Sequence, residues 1–394
     1  MTGGGSGGHI TPILAVASEL KRLQPDAQIV YIGQRGDNLL DVPAADPHID
    51  AVYAVPAGKL RRYHGEGLKQ LLDLSTQLRN LRDMGRVLLG LWQSFWLLQK
   101  LEPDVIFTRG GFVSVPVALA GKLQKIPYIT HDSDSTPSLA NRIIARWAAL
   151  HAVALPAELY PYPPAKTVVV GIPLSRLYRP VTPALQQAYR KALKLEHYNH
   201  ILFVTGGGNG AKQLNDAMMA NAPTLLKRFP KLLIVHVAGR KLMHDVERAY
   251  DALLPAPADR ERVQVKDFIS DLYRYSGAAD IIIARGGATN LAEFAMQGKA
   301  CIIIPSKQLV WNVKNSETLA KAGAIIELTE SQSEQEQRLA SVIGELLDDK
   351  ARRQKLGERL ASFAIPDAAH QLAVLLLEQV EHKQPNQPHE TIAP

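Results

Sequence analysis

Four glycine-rich segments of this chain have the residue types and spacing to hold phosphate. Gly3-Gly4-Gly5-Ser6-Gly7-Gly8 leads into His9-Ile10-Thr11-Pro12, and Arg109-Gly110-Gly111-Phe112-Val113-Ser114 comes second. Gly206-Gly207-Gly208-Asn209-Gly210-Ala211-Lys212 and Arg285-Gly286-Gly287-Ala288-Thr289-Asn290-Leu291-Ala292-Glu293 follow in the second half. Glycine lets the backbone turn sharply and aim successive N–H groups at an anion lying on a helix N-terminus. In the fourth segment Glu293, further along the same helix, could accept hydrogen bonds from a ribose diol. It could equally be an acid that favours the helix dipole. One such loop is weak evidence, because many tight strand-to-helix turns bind nothing. Several of them, split between two halves of a chain, point to a phosphate ligand. None is a Walker loop, since no Gly-Lys-Ser/Thr follows, and Lys212 stands in another frame. No acidic residue is placed for the ribose of a dinucleotide, which argues against a dehydrogenase.

These loops need strands before them and helices after them. Short β-branched runs alternate with helical patterns along most of the chain, the mark of parallel sheets covered by helices. Strands are expected near residues 28–32, 51–55, 104–108, 127–130, 152–155 and 167–170. A second set is expected near 200–205, 232–237, 263–265, 280–284, 300–304 and 324–327. Between the sets, Gly171-Ile172-Pro173 opens a polar, helix-like stretch to Asn199 holding Pro180 and Pro183, where prolines should halt regular structure and mark the boundary. The expected division is a first domain over 1–172, a linker over 173–198 and a second domain over 199–362. Pro12 suits a first helical turn. Only Met1 and Thr2 precede the first glycine loop. Its strand is therefore either missing, through a start placed too late, or cut to a stub, and the former is favoured. The polar, proline-rich tail over 383–394 should be disordered.

At 394 residues two domains are the prior, and 46% hydrophobic with 21% charged residues is ordinary for a folded soluble chain. Lys+Arg 45 against Asp+Glu 38 gives +7, which favours anionic partners. The single cysteine, Cys301, lies in an apolar run and cannot form an internal disulfide. No signal peptide is visible. The most apolar helical stretch, Val87 to Leu98, contains Gln93 and Ser94 and falls short of the roughly 20 residues that span a bilayer.

Taken in order, the segments resemble the MurG family, whose members transfer N-acetylglucosamine from UDP-N-acetylglucosamine to undecaprenyl-diphosphate-N-acetylmuramoyl-pentapeptide (lipid I), making lipid II. The resemblance runs from Gly3 to about Glu381. It rests on the loop ending at His9, on Gly110-Gly111-Phe112-Val113-Ser114 and on His131-Asp132-Ser133-Asp134-Ser135-Thr136-Pro137. In the second half it rests on Gly206 to Ala211, Arg285 to Glu293 and Ile365-Pro366-Asp367-Ala368.

The resemblance implies the GT-B fold: α/β, two Rossmann-like domains with parallel sheets facing across a cleft, and an inverting mechanism. Carried over by position, Phe268 and Ile269 would meet uracil. Ala288, Thr289 and Asn290 would approach the diphosphate, with Leu291 and Ala292 in the same substrate-binding run, and Glu293 would take the ribose hydroxyls. Gly207, Gly208, Asn209 and Gly210 would also face the diphosphate. Ser6, Gly7, Gly8, Gly110, Gly111 and Asp134 would face the lipid-linked acceptor in a membrane-side first domain. A helix over 363–382 would pack back toward that domain. Three departures stand out. Gly208 replaces a family serine. Ser175 replaces an arginine, with Arg176 adjacent as its substitute. The family's sugar-binding glutamine pair is absent, leaving Asn312 as its equivalent, with Gln308 second.

Such a transfer needs a base for the acceptor's hydroxyl proton and positive potential for the departing diphosphate. His9 could be the base, or could only bond backbone at a helix start. Asp132, where the family has a glutamate, is the rival base, or a partner that orients His9 or the acceptor. Asp132-Ser133-Asp134 also spells an Asp-x-Asp metal pattern. No resident metal or cofactor is expected, because helix N-termini can stabilise the leaving group, and UDP-N-acetylglucosamine is a substrate.

Apolar residues at 71, 74, 78, 81, 84, 88, 91, 95 and 98 recur at helical spacing, with Trp92, Phe95 and Trp96 late in the run. Lys59, Arg61, Arg62, Lys69, Arg79, Arg82 and Arg86 lie nearby. The stripe is either core packing or a face drawn to anionic lipid. With the resemblance, the expectation is a peripheral enzyme on the cytoplasmic face of the cell membrane, with UDP-N-acetylglucosamine, lipid I and an anionic membrane surface as partners and no nucleic acid. The rivals are a transferase acting on another lipid, a GT-B sugar epimerase without the basic apolar stripe, and a non-catalytic nucleotide-sugar binder.

Overall fold

The computed structural model describes residues 1–5, 7–58, 74–134, 136–208, 210–306, 309–331 and 338–383. The chain divides into two compact units. The first takes in Met1–Gly5, His9–Ser175 and the chain from Asp367, and the second takes in Arg176–Pro366 with Gly7 and Gly8.

In the first unit the expected alternation produces β1 (Val30–Gln34), β2 (Ala51–Val55), β3 (Ile106–Thr108), β4 (Tyr128–Asp132), β5 (Leu150–Val153) and β6 (Thr167–Val169). β1 pairs with β2, and β3-β4-β5-β6 form a continuous run, every pair parallel. Thr2 joins the two pieces, bridging to Ile32 on one side and to Thr108 on the other. Its N–H donates to the Phe107 carbonyl at 2.8 Å, and the Arg109 N–H donates to the Thr2 carbonyl at 3.2 Å. Thr2 therefore occupies the place between β1 and β3 that a strand ahead of the first glycine loop would take.

Helices α1 (Gly7–Leu23), α2 (Leu74–Leu101), α3 (Ser114–Leu123) and α4 (Leu139–Ile144) cover this sheet. Successive strand residues point to opposite faces, so each strand feeds two cores. Tyr31, Phe107 and Ile129 pack with Ile10, Ile13 and Val16 of α1 and with Leu372 and Leu376 of the terminal helix Ala368–Lys383. Their neighbours Ile32, Ile106 and Tyr128 pack with Leu98 of α2, Val117 of α3 and Ile144 of α4. Each such fully buried aliphatic side chain contributes about 1.5–3 kcal/mol. β4 runs two residues further than the sequence reading placed it, which puts Asp132 at the strand's carboxyl end.

The second unit holds β7 (His200–Thr205), β8 (Leu232–Val237), β9 (Val263–Lys266), β10 (Ile281–Ala284), β11 (Cys301–Ile303) and β12 (Ile326–Glu327). They form one parallel sheet in the order β12-β11-β10-β7-β8-β9. The chain reverses direction across the sheet between β7 and β10, so the loops leaving their carboxyl ends flank a topological switch point, where open α/β sheets bind ligands. Leu202 and Val204 enter one core while Ile201 and Phe203 enter the other. The unit's site-bearing helices are α5 (Pro183–Ala192), α6 (Lys212–Arg228), α7 (Ala288–Gln297) and α8 (Val310–Lys321).

The polar stretch over 173–198 carries a helix, in keeping with its helix-like pattern. Pro183 opens α5, where its missing N–H costs nothing, and the Thr182 hydroxyl caps the Leu185 N–H at 3.2 Å. Arg190 then ties α5 to Asp280, just ahead of β10, at 2.8 Å. Lys383 closes the terminal helix, and the tail from 384 lies outside the described residues.

No described helix is long and apolar enough to cross a membrane. α2 nonetheless presents Leu81 (69% exposed), Leu88 (62%), Trp92 (61%) and Trp96 (56%) to solvent, along with Met84 and Leu89. Leu98 turns inward, and Leu91 and Phe95 are partly buried. Among the described side chains of the stripe, Leu81, Met84 and Leu88 are thus exposed, while Leu91, Phe95 and Leu98 turn toward the core. Leu71 and the basic residues Lys59, Arg61, Arg62 and Lys69 lie outside the described residues.

Candidate active site

In the first unit the opening glycine loop delivers His9 onto the first turns of α1. Helix formation begins at Gly7, so Pro12 falls in the second turn and removes the amide that would otherwise meet the Gly8 carbonyl. The His9 Nδ1 lies 3.0 Å from the Gly4 carbonyl. A carbonyl only accepts, so Nδ1 carries the hydrogen and Nε2 the lone pair. Burial, reinforced by the Arg109 charge, lowers the His9 pKa to about 4. At neutral pH the imidazole is neutral with Nε2 basic, so the backbone bond and the form a base requires coexist. Gly111 sits beside it at φ +84°, and a Cβ there would stand 2.9 Å from the Gly4 carbonyl and 3.2 Å from His9 Nδ1. Only glycine allows the two loops to approach this closely. Gly110 is anchored by the Ser114 hydroxyl, which donates to its carbonyl at 2.6 Å.

Beneath these loops lies Arg109, to which the sequence reading gave no role. Its buried guanidinium donates to His131 Nδ1 and to the Ser133 hydroxyl. Burial lowers its pKa to about 10, against the opposing pull of Asp134 and Asp132, so it remains a cation. His131 Nε2 donates to the Gly171 carbonyl at 2.7 Å, and burial keeps that imidazole neutral. Arg109 follows a buried strand and precedes a glycine pair, a position that could have marked it.

Asp132 is 4% exposed. Its Oδ1 accepts from Asn141 Nδ2 at 2.9 Å and from the Ser138 N–H at 3.2 Å, and its Oδ2 accepts from the Tyr162 hydroxyl at 2.7 Å. Burial raises its pKa against those bonds. The arrangement fixes the start of α4, where Ser138 caps the Asn141 N–H. Among the described residues no group of three or more His, Cys, Asp or Glu side chains is placed to hold a metal ion.

In the second unit the loop after β7 needs its glycines. Gly210 has φ +73°, and a Cβ there would meet the Ala238 carbonyl at 2.2 Å. The Gly207 N–H is held by the Thr205 hydroxyl at 3.2 Å, and the Gly210 N–H by the Gly207 carbonyl at 2.9 Å. α6 follows with no side-chain cap, and exposed Lys212 pairs with Asp216 of its own helix at 2.6 Å. Ser6, Asn209 and Gln308 lie outside the described residues.

After β10, Gly287 precedes α7 with no side-chain cap, and the space a Cβ would fill there is open. Ala288, Thr289 and Asn290 form the first turn, whose N–H groups have no partner within the helix. Leu291 is buried in the core, while Ala292 is half-buried. Glu293 is 4% exposed, and its Oε2 accepts from Asn290 Nδ2 at 2.8 Å. Tyr178 donates its phenolic hydrogen to the same carboxylate, and burial lifts the Glu293 pKa to about 7. Tyr178 is the second residue the sequence reading missed, and nothing in local spacing links it to Glu293.

Three further expected contacts lie in this unit. Ile269 packs into the core, so its side chain is unavailable to a base. Phe268 is half-buried with the Arg240 guanidinium 5.0 Å from its ring centroid. Asn312 is 3% exposed and turns its amide to the Arg285 carbonyl at 3.4 Å, so it braces the loop instead of facing a sugar. Arg176 is exposed.

Comparison with known proteins matches this organisation. The glycosyltransferase family 28 N-terminal domain matches residues 1–153 and the glycosyltransferase family 28 C-terminal domain matches residues 201–372. A protein of Desulfitobacterium hafniense (strain DSM 10664 / DCB-2) named UDP-N-acetylglucosamine–N-acetylmuramyl-(pentapeptide) pyrophosphoryl-undecaprenol N-acetylglucosamine transferase is 31% identical over 393 residues, 96% of this chain and 98% of the relative. The crystal structure of Acinetobacter baumannii MurG aligns with TM-score 0.65 at 22% identity, covering 96% of this chain and 98% of that one. UDP-GlcNAc 2-epimerase from Neisseria meningitidis aligns with TM-score 0.63 at 14% identity, covering 96% and 99%. At those identities the two structures establish the GT-B fold, which transferase and epimerase share. The full-length relative decides the family, and the chain belongs to the MurG family of hexosyltransferases within glycosyltransferase family 28.

Proposed function

We propose that the chain transfers N-acetylglucosamine from UDP-N-acetylglucosamine to lipid I with inversion, giving lipid II and UDP. The second unit takes the donor. The uncapped start of α7 and the loop at Gly207–Gly210 supply amides for the diphosphate, and Glu293 supplies an acceptor for the ribose diol. The first unit takes the acceptor. His9 Nε2 removes the hydroxyl proton as the acceptor oxygen bonds to the anomeric carbon, and the bond from that carbon to the UDP oxygen breaks. The charge that develops on the leaving diphosphate is met by the same amides. Arg109 places a buried cation under the loops that face the acceptor pyrophosphate. Asp132, engaged by three donors, positions the segment carrying Asp134 and α4 and does not exchange protons.

One observation favours a lipid acceptor over a sugar epimerase on the same fold: the exposed Leu81, Leu88, Trp92 and Trp96 face of α2, with Arg79, Arg82 and Arg86 on the same helix. An enzyme acting on a soluble sugar nucleotide alone has no use for it. A helix with such a face lies in the headgroup region of a bilayer without crossing it, which supports a peripheral enzyme on the cytoplasmic face of the membrane. The test is release of UDP from UDP-N-acetylglucosamine with and without a short-chain lipid I analogue. Release that depends on the analogue supports the reading, and binding without turnover would make the chain a nucleotide-sugar binder.

A further inference from the structure

Beside Asn312, whose amide turns to the Arg285 carbonyl, stands a large exposed side chain. Trp311, on the first turn of α8, is 41% exposed while Asn312 beside it is 3% exposed. β10 and β11 are adjacent and parallel, with Ala284 opposite Ile303, so the loops leading to α7 and α8 leave one edge of the sheet side by side. They touch there. A Cβ on Gly286, φ +84°, would lie 3.5 Å from the Asn312 carbonyl. Trp311 is therefore next in sequence to the residue whose carbonyl reaches the turn that opens α7, while the Asn312 amide, bonded to the Arg285 carbonyl at 3.4 Å, holds α8 against that turn.

The chemistry of a hexosamine ring suits that position. One face of a pyranose is a patch of C–H groups ringed by hydroxyls. An indole offers a flat apolar face with an N–H at its edge, so it can cover that patch and still reach a polar group. Ligand sites combine such aromatic walls with a few oriented polar groups, and α7 already supplies the polar ones. We propose that Trp311 is the wall of the donor-sugar subsite and stacks on the N-acetylhexosamine ring of the nucleotide sugar. The proposal rests on the second unit being the donor unit. It makes Trp311 the residue that distinguishes the sugar nucleotide from the bare nucleotide.

The experiment uses the full chain with Trp92, Trp96 and Trp147 replaced by phenylalanine, which leaves Trp311 as the sole remaining indole of four. UDP and UDP-N-acetylglucosamine are titrated by calorimetry and by fluorescence. Both ligands should bind, and only the sugar nucleotide should shift the Trp311 emission. In the otherwise natural chain, Trp311→Ala should weaken UDP-N-acetylglucosamine by about tenfold while leaving UDP within about twofold. Trp311→Phe, which keeps a ring, should recover most of the loss. The proposal is overturned if both ligands move the emission alike, or if Trp311→Ala weakens both ligands equally or neither. A natural chain that binds no UDP would overturn the donor reading itself and this role with it.

Discussion

Tyr178, on the segment ahead of α5, donates its phenolic hydrogen to the carboxylate of Glu293 on α7. A ribose diol would need that same carboxylate as its acceptor, so Tyr178 stands where a nucleotide hydroxyl should bind. Removing the phenol takes a bond from the unliganded protein and none from the complex. Tyr178→Phe should therefore tighten UDP-N-acetylglucosamine by about three- to tenfold and lower folding stability by about 1 kcal/mol. Calorimetric titration and denaturant unfolding check both effects. Weaker binding would mean that Tyr178 supports the ligand instead of yielding to it.

Glu293 also sets a pH dependence. Burial raises its pKa from 4.5 to about 7, so the fold favours the protonated form. Below the unfolded value that contribution to stability is complete, and it is lost as pH rises through the folded value. Ligand affinity runs the other way, because the diol needs the ionised carboxylate. UDP-N-acetylglucosamine, whose diphosphate does not titrate in this range, should bind more tightly as pH climbs from about 6 to about 8. Glu293→Gln should abolish that slope and bind weakly throughout. A flat profile for the natural chain would remove Glu293 from the diol site.

Strand positions and glycine loops were legible because alternation and turn chemistry are local. The strand read at 28–32 lies at Val30–Gln34, partly because the Ile29 N–H is taken by the Asp50 carboxylate at 2.6 Å. The inward turn of Asn312 was not legible, since it depends on how closely Gly286 approaches α8. Nor was the Tyr178–Glu293 bond, which joins segments far apart in sequence. For α2, helical spacing shows that an apolar stripe exists. It does not show that Leu88 and Trp92 are left in solvent while Leu98 turns inward.

His9 should control turnover without controlling the donor. With its pKa lowered to about 4 it is already in its basic form at neutral pH. The acid limb of kcat/KM for the acceptor should lie near pH 4–5, below the ordinary histidine value of about 6.5. A pyrophosphate bound nearby favours the imidazolium, so the limb in kcat should lie at higher pH than the limb in kcat/KM. His9→Ala should cost about 10²- to 10⁴-fold in turnover with donor affinity unchanged. Asp132→Asn should instead lower stability by about 1–3 kcal/mol and reduce turnover less, because it disturbs a hydrogen-bonded scaffold. The reverse ranking would make Asp132 the base.

Leu88→Glu with Trp92→Glu places charge on the exposed face of α2. Both side chains are mostly in solvent, so stability should change by no more than about 0.5 kcal/mol. Co-sedimentation with vesicles containing anionic lipid should be lost, and UDP-N-acetylglucosamine affinity should not move. Vesicle binding that survives the double variant would return the face to an ordinary surface role.

The most direct measurement isolates the product formed from UDP-N-acetylglucosamine and the short-chain lipid I analogue and reads its anomeric configuration by NMR. One UDP released per acceptor consumed, with the α-linked donor sugar appearing as a β-linked disaccharide on the lipid, is the predicted result. Retention of the α configuration, or an epimerised free sugar formed with no acceptor present, would contradict the account.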